Sequence, residues 1–397
     1  MKKPVISDAS LLNLFFSVLS QARNGSINVK FKEKVLFKKK GSNVGPDAEI
    51  IIKDFECIKN FFLKGDNGWA ESYINGLWTT NDLTNFLEWG AKNFYDFSKF
   101  VRGKWYIILF YRIKHFLNSN TKNRSQKNIS FHYDLGNDFY SKWLDRSMTY
   151  SSALFKNKGQ DLYDAQMYKY ENLCKLCCVT TNDKVLEIGC GWGGLSIYLA
   201  KTKGNEVTAI TISQKQYESV KKKVSDEGLN EKVNVKLIDY RDVKGKYDKI
   251  LSIEMFEAVG EKYWSTYFDV LRKNLSENGK VGLQTITIED RYFKTYRKFP
   301  DFIQTYIFPG GMLPSISELK KSAAMSGLKI HKEKLFGLHY AKTLSEWKTS
   351  FNNSWDDIMK SGFDINFKRL WMYYLSYCEG GFRSGNINVG QFLIGRE

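Results

Sequence analysis

From Asp183 onward the chain alternates short apolar runs with longer amphipathic stretches. KVLEI (184–188) leads through a glycine-rich turn into LSIYLAKTKG (195–204), and EVTAI (206–210) leads into QKQYESVKKKVSDEG (214–228). VNVKLI (233–238), DKILSI (248–253), YWSTYFDVLRKNL (263–275) and KVGLQTITI (280–288) follow, the last after a turn at SENG (276–279). Short apolar runs predict buried strands, and the amphipathic stretches between them have the length of crossover helices. Strands and helices in that order predict a mostly parallel sheet with right-handed connections.

The first part of the chain has another texture. MKKPVISDASLLNLFFSVLSQA contains a short apolar stretch interrupted by Asn13 and reads as an amphipathic first helix. INVKFKEKVLFKKKGSNVGPDAEIIIKD (27–54) alternates with period two, predicting antiparallel strands joined at a Gly41–Pro46 turn. GDNGWAESYINGLWTTNDLTNFLEW (65–89) takes on helical spacing after the cap signals Thr79, Thr80, Asn81 and Asp82. The change of pattern divides the chain into a smaller amino-terminal α+β domain, residues 1–122, and an α/β domain, residues 123–397.

Charge narrows the choice of partner. Lys and Arg outnumber Asp and Glu by 17, a surplus that suits nucleic acid, an anionic membrane or acidic small molecules. No (D/N)PPY base-flipping motif follows the fourth strand, so nucleic acid is not the expected partner. No apolar run approaches the ~20 residues that span a bilayer. The segment 100–118 instead sets aromatic and aliphatic residues between Lys and Arg, as an interfacial segment does. The expected location is cytoplasmic, peripheral on the inner face of the membrane. Cys174, Cys177 and Cys178 form CKLCC with no second half, so no metal site is expected and the thiols read as buried on a helix face.

VLEIGCGWGG (185–194) is the one candidate nucleotide loop. Gly189, Gly191 and Gly193 let backbone approach a ligand at the carboxyl end of a strand. A dinucleotide site usually places an acid about 20 residues further on. Here Thr211, Ser213 and Gln216 offer neutral hydrogen bonds in that region. Glu187 suits an ammonium group, and Asp239 with Tyr240 follows the third strand, where they suit an adenine amino group and ring. Together these residues predict S-adenosylmethionine, not NAD.

Just ahead of the loop, FHYDLGNDFYSKWLDRSMTYSSALF (131–155) packs polar groups among rings. With this segment in place the chain resembles the cyclopropane-fatty-acyl-phospholipid synthase family, which includes mycolic acid cyclopropane synthases and fatty-acid C-methyltransferases. The resemblance is carried by HYDLGNDFYSKWLDRSMTYSSALF, VLEIGCGWGGLSIYLA, ITISQKQ, SIEMFEAVG, YIFPGGMLPS, HYAKTLSEW and YYLSYCEGGFRSGNINVGQF, in that order. It implies a class I S-adenosylmethionine-dependent methyltransferase, Rossmann-like, acting on the double bond of unsaturated phospholipid acyl chains. Tyr150 and Ser151 are implied to contact the donor, and a homodimer is a possible assembly.

The resemblance also implies a bound bicarbonate as base, in a cradle that maps onto Ser152, Glu257, Gln284, Ile286 and Tyr340, with Cys378 as a further candidate. Many synthases carry Cys at the position of Ser152 and His at that of Gln284. Gln cannot take up a proton, so the product stays open between a cyclopropane and a methyl- or methylene-branched chain. A membrane-binding relative without catalysis is the remaining alternative; the glycine loop and Glu257 speak against it.

Overall fold

The computed structural model describes residues 8–97, 120–122, 124 and 135–397; the segment 100–118, residues 1–7 and His132 to Asp134 lie outside the described residues. The chain forms two compact units. One comprises residues 1–117, 295–307 and 355–386, the other 118–294, 308–354 and 387–397. The first unit therefore recruits two segments that the sequence pattern assigns to the second domain.

In the first unit, helix α1 (Asp8–Leu19) precedes strands β1 (Asn24–Phe31), β2 (Lys34–Lys40) and β3 (Asn43–Ile52), then α2 (Glu56–Lys64), α3 (Asp66–Ile74), β4 (Trp78–Thr79) and α4 (Leu83–Lys92). The sheet order is β2-β1-β3-β4. The period-two reading holds for β1 and β2, which pair antiparallel, but β3 crosses over and runs parallel to β1. The reversal is completed at Gly41 and Ser42, and Pro46 lies inside β3 at a register shift against β1. Proline lacks an N–H, and a bulge accommodates that loss. Asp82 caps α4 as the sequence predicts, accepting from the Asn85 amide at 2.9 Å.

The recruited helix, α12 (Ile365–Ser384), is held to α4 by side-chain and backbone contacts. Buried Thr84 donates to Glu379 at 3.2 Å, and a Cβ on Gly380 would stand 2.8 Å from the Glu88 amide nitrogen. Close backbone approach of this kind requires glycine.

The second unit is built on seven strands: β5 (Lys184–Ile188), β6 (Glu206–Thr211), β7 (Val233–Leu237), β8 (Tyr247–Ile253), β9 (Leu275–Ile288), β10 (Leu328–Leu335) and β11 (Ile387–Arg396), in the order β10-β11-β9-β8-β5-β6-β7. Pairing is parallel from β7 through β9, and β11 runs antiparallel to both β9 and β10. SENG does not break the chain into a separate turn. It is absorbed into β9 as a bulge between the pairs Tyr247–Leu275 and Lys249–Lys280.

Helices α6 (Leu162–Cys177), α7 (Gly194–Tyr198), α8 (Gln214–Asp226), α9 (Trp264–Asn274), α10 (Ile316–Met325) and α11 (Gly337–Asn353) complete this unit, with the short α5 (Asn137–Ser141) ahead of them. Leu173, Cys174 and Cys177 of α6 pack on Val185, Val207 and Leu251. Val220 and Val224 of α8 pack with Ala209 and Val233. Each aliphatic side chain so buried contributes about 1.5–3 kcal/mol. Cys174 and Cys177 are buried, as expected, whereas Cys178 is exposed where the helix ends in a left-handed turn.

Candidate active site

The carboxyl ends of β5, β8 and β9 release the chain into the loops that carry the polar residues, as open α/β sheets do. The segment Asn137–Phe155 is fastened beside the glycine loop. The Trp192 indole donates to Asn137 at 2.8 Å, and the Tyr140 ring lies 4.9 Å from Trp192. Tyr150 is set among Tyr140, Trp143 and Trp347, with ring centroids 5.3–5.6 Å away. The backbone of the segment is pinned from α6 and α11. Gln166 donates to the Ser151 carbonyl at 2.9 Å, Thr343 accepts from the Ala153 amide at 3.1 Å, and His339 accepts from the Phe155 amide at 3.0 Å.

Three expected site residues, Ser152, Gln284 and Tyr340, meet on a carboxylate that sequence reasoning missed. Glu254 Oε1 accepts from the Ser152 amide at 2.9 Å and from Gln284 Nε2 at 2.8 Å, and Oε2 accepts from the Tyr340 hydroxyl at 2.7 Å. Gln391 donates to Gln284 Oε1 at 3.0 Å, which fixes the amide with its nitrogen toward Glu254. Ser152 and Gln284 are fully buried, while Glu254 is only partly so. Its backbone has φ of +50°, a conformation that costs a non-glycine residue on the order of 1 kcal/mol.

Glu257 stands apart from these donors. Its Oε1 accepts from the Ile286 backbone amide at 2.6 Å, and its Oε2 has no hydrogen-bond partner. Burial, and then the Glu254 charge, push Glu257 up to about 8, toward its neutral form. Burial also raises the Glu254 carboxyl, against the Lys169 ammonium and the three donors. Lys169, fully buried on α6, donates to Ser151 Oγ at 2.7 Å. Burial pulls it down to about 7 despite Glu254, Asp145 and Glu187. The sequence held one signal for it: Ala165, Lys169, Leu173 and Cys177 form a buried stripe at spacing four.

In this structure the donors of the bicarbonate cradle that the resemblance implies are engaged by carboxylates of the chain: Tyr340, Ser152 and Gln284 serve Glu254, and the Ile286 amide serves Glu257. Cys378 lies on α12 of the first unit, beside Asp301, and burial followed by that carboxylate raises its thiol. A raised thiol is a poor nucleophile at neutral pH.

The residues expected to bind the donor sit at the ends of β5, β6 and β7. Gly189, Gly191 and Gly193 all have positive φ, and a Cβ on Gly191 would meet no atom within 4 Å, so space is open beside the loop for a ligand. Glu187 is buried and accepts from the Ser196 hydroxyl, and burial pushes it up to about 8. Thr211 donates to Gln216 at 2.9 Å, and Ser213 caps α8 by accepting from the Gln216 amide. Asp239 is gripped by Arg241 through Nε and Nη2, each at 2.7 Å. Burial alone would raise Asp239, but the Arg241 hydrogen bonds and charge hold it below the usual carboxylate range. The Tyr240 hydroxyl is buried without a partner, an unmet polar group that a ligand can satisfy. The open space at Gly191 fits the close approach of a bound nucleoside.

Among the described residues no helix is long and apolar enough to cross a membrane.

Residues 120–392 match the family model described as mycolic acid cyclopropane synthetase. The chain is 35% identical over 338 residues to the tuberculostearic acid methyltransferase UfaA1 of Mycobacterium tuberculosis, covering 83% of this chain and 79% of that protein. It is 34% identical over 362 residues to the cyclopropane-fatty-acyl-phospholipid synthase of Escherichia coli, covering 89% of each. Among solved structures, the cyclopropane synthase MmaA2 from Mycobacterium tuberculosis matches with a TM-score of 0.64 and 28% identity, over 68% of this chain and 97% of that one. The mycolic acid cyclopropane synthase CmaA1 complexed with SAH and CTAB matches with the same figures. Together with the sheet order, these likenesses identify the second unit as a class I methyltransferase fold.

Proposed function

The chain belongs to the mycolic acid cyclopropane synthetase family, and we propose on that footing that it transfers a one-carbon unit from S-adenosylmethionine to the double bond of an unsaturated phospholipid acyl chain. The observation that carries this reading is the partly buried Glu254 carboxylate, held by Ser152, Gln284 and Tyr340 next to a wall of rings. The donor supplies an electrophilic methyl group. An alkene is a weak nucleophile, and its attack leaves positive charge on a chain carbon. Tyr150, among Trp143, Trp347 and Tyr140, offers ring faces that stabilise such charge. The pinned segment 150–155 keeps its backbone polar groups satisfied internally, which suits a pocket that must exclude water. Loss of one proton from the new methyl closes a cyclopropane. A hydride shift onto the cationic carbon, followed by loss of a proton from the methyl group, gives a methylene branch instead.

The site of action on this reading is the anionic inner leaflet, reached from the cytoplasm. Lys34, Lys38 and Lys40 are exposed on β2, an edge strand, and add to the net charge of +17.

Purified protein supplied with S-adenosylmethionine and vesicles of monounsaturated phosphatidylglycerol is expected to release S-adenosylhomocysteine, and to release none with fully saturated lipid. Equal release from both lipids, or from neither, contradicts the reading.

A further inference from the structure

We infer that Glu254 is the base of this site, a carboxylate of the chain itself standing where a bicarbonate would otherwise be held, so that turnover needs no bicarbonate. The inference rests on the proposed transfer to an alkene and goes beyond it by naming the group that takes the proton.

Three neutral donors converge on one planar oxyanion. The Ser152 amide comes from the loop before α6, Gln284 from β9 and Tyr340 from α11. Such a set is what either a carboxylate or a bicarbonate requires, and Glu254 already fills it. A bicarbonate competing for the same donors would stand against a like charge, an unfavourable arrangement in a partly buried site. Gln284 cannot relay a proton, and Gln391 locks its amide toward Glu254, so its role is to hold an anion. Glu254 Oε2 takes one hydrogen bond, from Tyr340, which leaves a lone pair for an incoming proton. The carboxylate is kept at φ of +50°, where glycine would sit without strain.

The electrons balance without another reactant. The alkene π pair forms the new bond to the methyl carbon as the carbon–sulfur bond breaks, its pair remaining on sulfur. Glu254 Oε2 takes a proton from the new methyl, and the freed C–H pair closes the third ring bond onto the cationic carbon. Glu254 is left as a carboxylic acid and returns its proton to water when product leaves.

The test compares wild type, Glu254→Gly and Glu254→Gln in carbon-dioxide-free buffer with and without added bicarbonate, reading alkylated lipid by mass spectrometry. Binding of ¹³C-bicarbonate to each protein is read in parallel by NMR. Wild type is expected to turn over equally in both buffers and to bind no bicarbonate. Glu254→Gly, whose backbone glycine suits, is expected to lose at least about a hundredfold and to regain part of it with bicarbonate. Glu254→Gln keeps the space filled and is expected to lose as much without rescue. Bicarbonate binding to wild type, or a tenfold or larger stimulation of it, overturns the inference. If wild type alkylates no lipid under any condition, the proposed function fails, and the NMR result still decides whether Glu254 has displaced the anion.

Discussion

Tyr340 donates its hydroxyl to Glu254 Oε2 at 2.7 Å, joining α11 to the loop after β8 across 86 positions of sequence. A hydrogen bond to a charged group contributes about 1.5–3 kcal/mol, and this one also aims the carboxylate. Tyr340→Phe is expected to lower kcat by roughly tenfold to a hundredfold. Affinity for S-adenosylmethionine, measured by calorimetry, is expected to stay unchanged.

The two acids of EMFEAVG are expected to behave differently. Glu254→Gln removes the proton acceptor, with a loss of at least about a hundredfold in turnover. Glu257 is shifted toward its neutral form and holds the Ile286 amide, a bond that the oxygen of a glutamine can also accept. Glu257→Gln is therefore expected to keep turnover within about tenfold of wild type. Steady-state assays of the two variants side by side check the ranking.

Lys169 opposes the effect of burial on Glu254. Burial raises the Glu254 carboxyl, and the Lys169 ammonium is the first influence opposing it. Lys169→Met removes that cation, so Glu254 should rise further and hold its proton to higher pH. The acid limb of the pH–rate profile is expected to move upward. A downward shift would contradict the assignment, since loss of a cation cannot make a neighbouring carboxylate easier to ionise.

Gly380 gives a prediction for stability. Its Cβ would stand 2.8 Å from the Glu88 amide nitrogen and 3.1 Å from the Leu87 carbonyl carbon, both backbone atoms that cannot rotate away. Gly380→Ala is expected to destabilise by about 1–3 kcal/mol, checked by chemical denaturation.

The sheet was legible where its strands are short, apolar and flanked by turns. KVLEI matches β5 residue for residue, and EVTAI, VNVKLI and DKILSI end within one residue of β6, β7 and β8. β10 was not legible because LKIHKEKL is charged and mostly exposed at the sheet edge, and β11 because Gly390 and Gly395 interrupt the apolar run of INVGQFLIGR. The recruitment of α12 to the first unit depends on contacts with α4 nearly three hundred positions away, and no local pattern reports such a contact. At the site, the family resemblance brought Ser152, Gln284 and Tyr340 into view together. Glu254 was hidden behind Glu257 three positions later, because nothing local says which acid will meet donors from β9 and α11. Lys169 was hidden because a lysine on an amphipathic helix usually lies in water.

The most direct measurement is mass spectrometry of phospholipid acyl chains from cells that lack the native activity and express this protein, with methyl-labelled methionine as the source. Monounsaturated chains are expected to gain one labelled CH₂ and then to resist hydrogenation, the mark of a cyclopropane. A labelled gain on a chain that still takes up hydrogen would place the product among methylene branches. Phospholipid carrying no label would contradict transfer to acyl chains altogether.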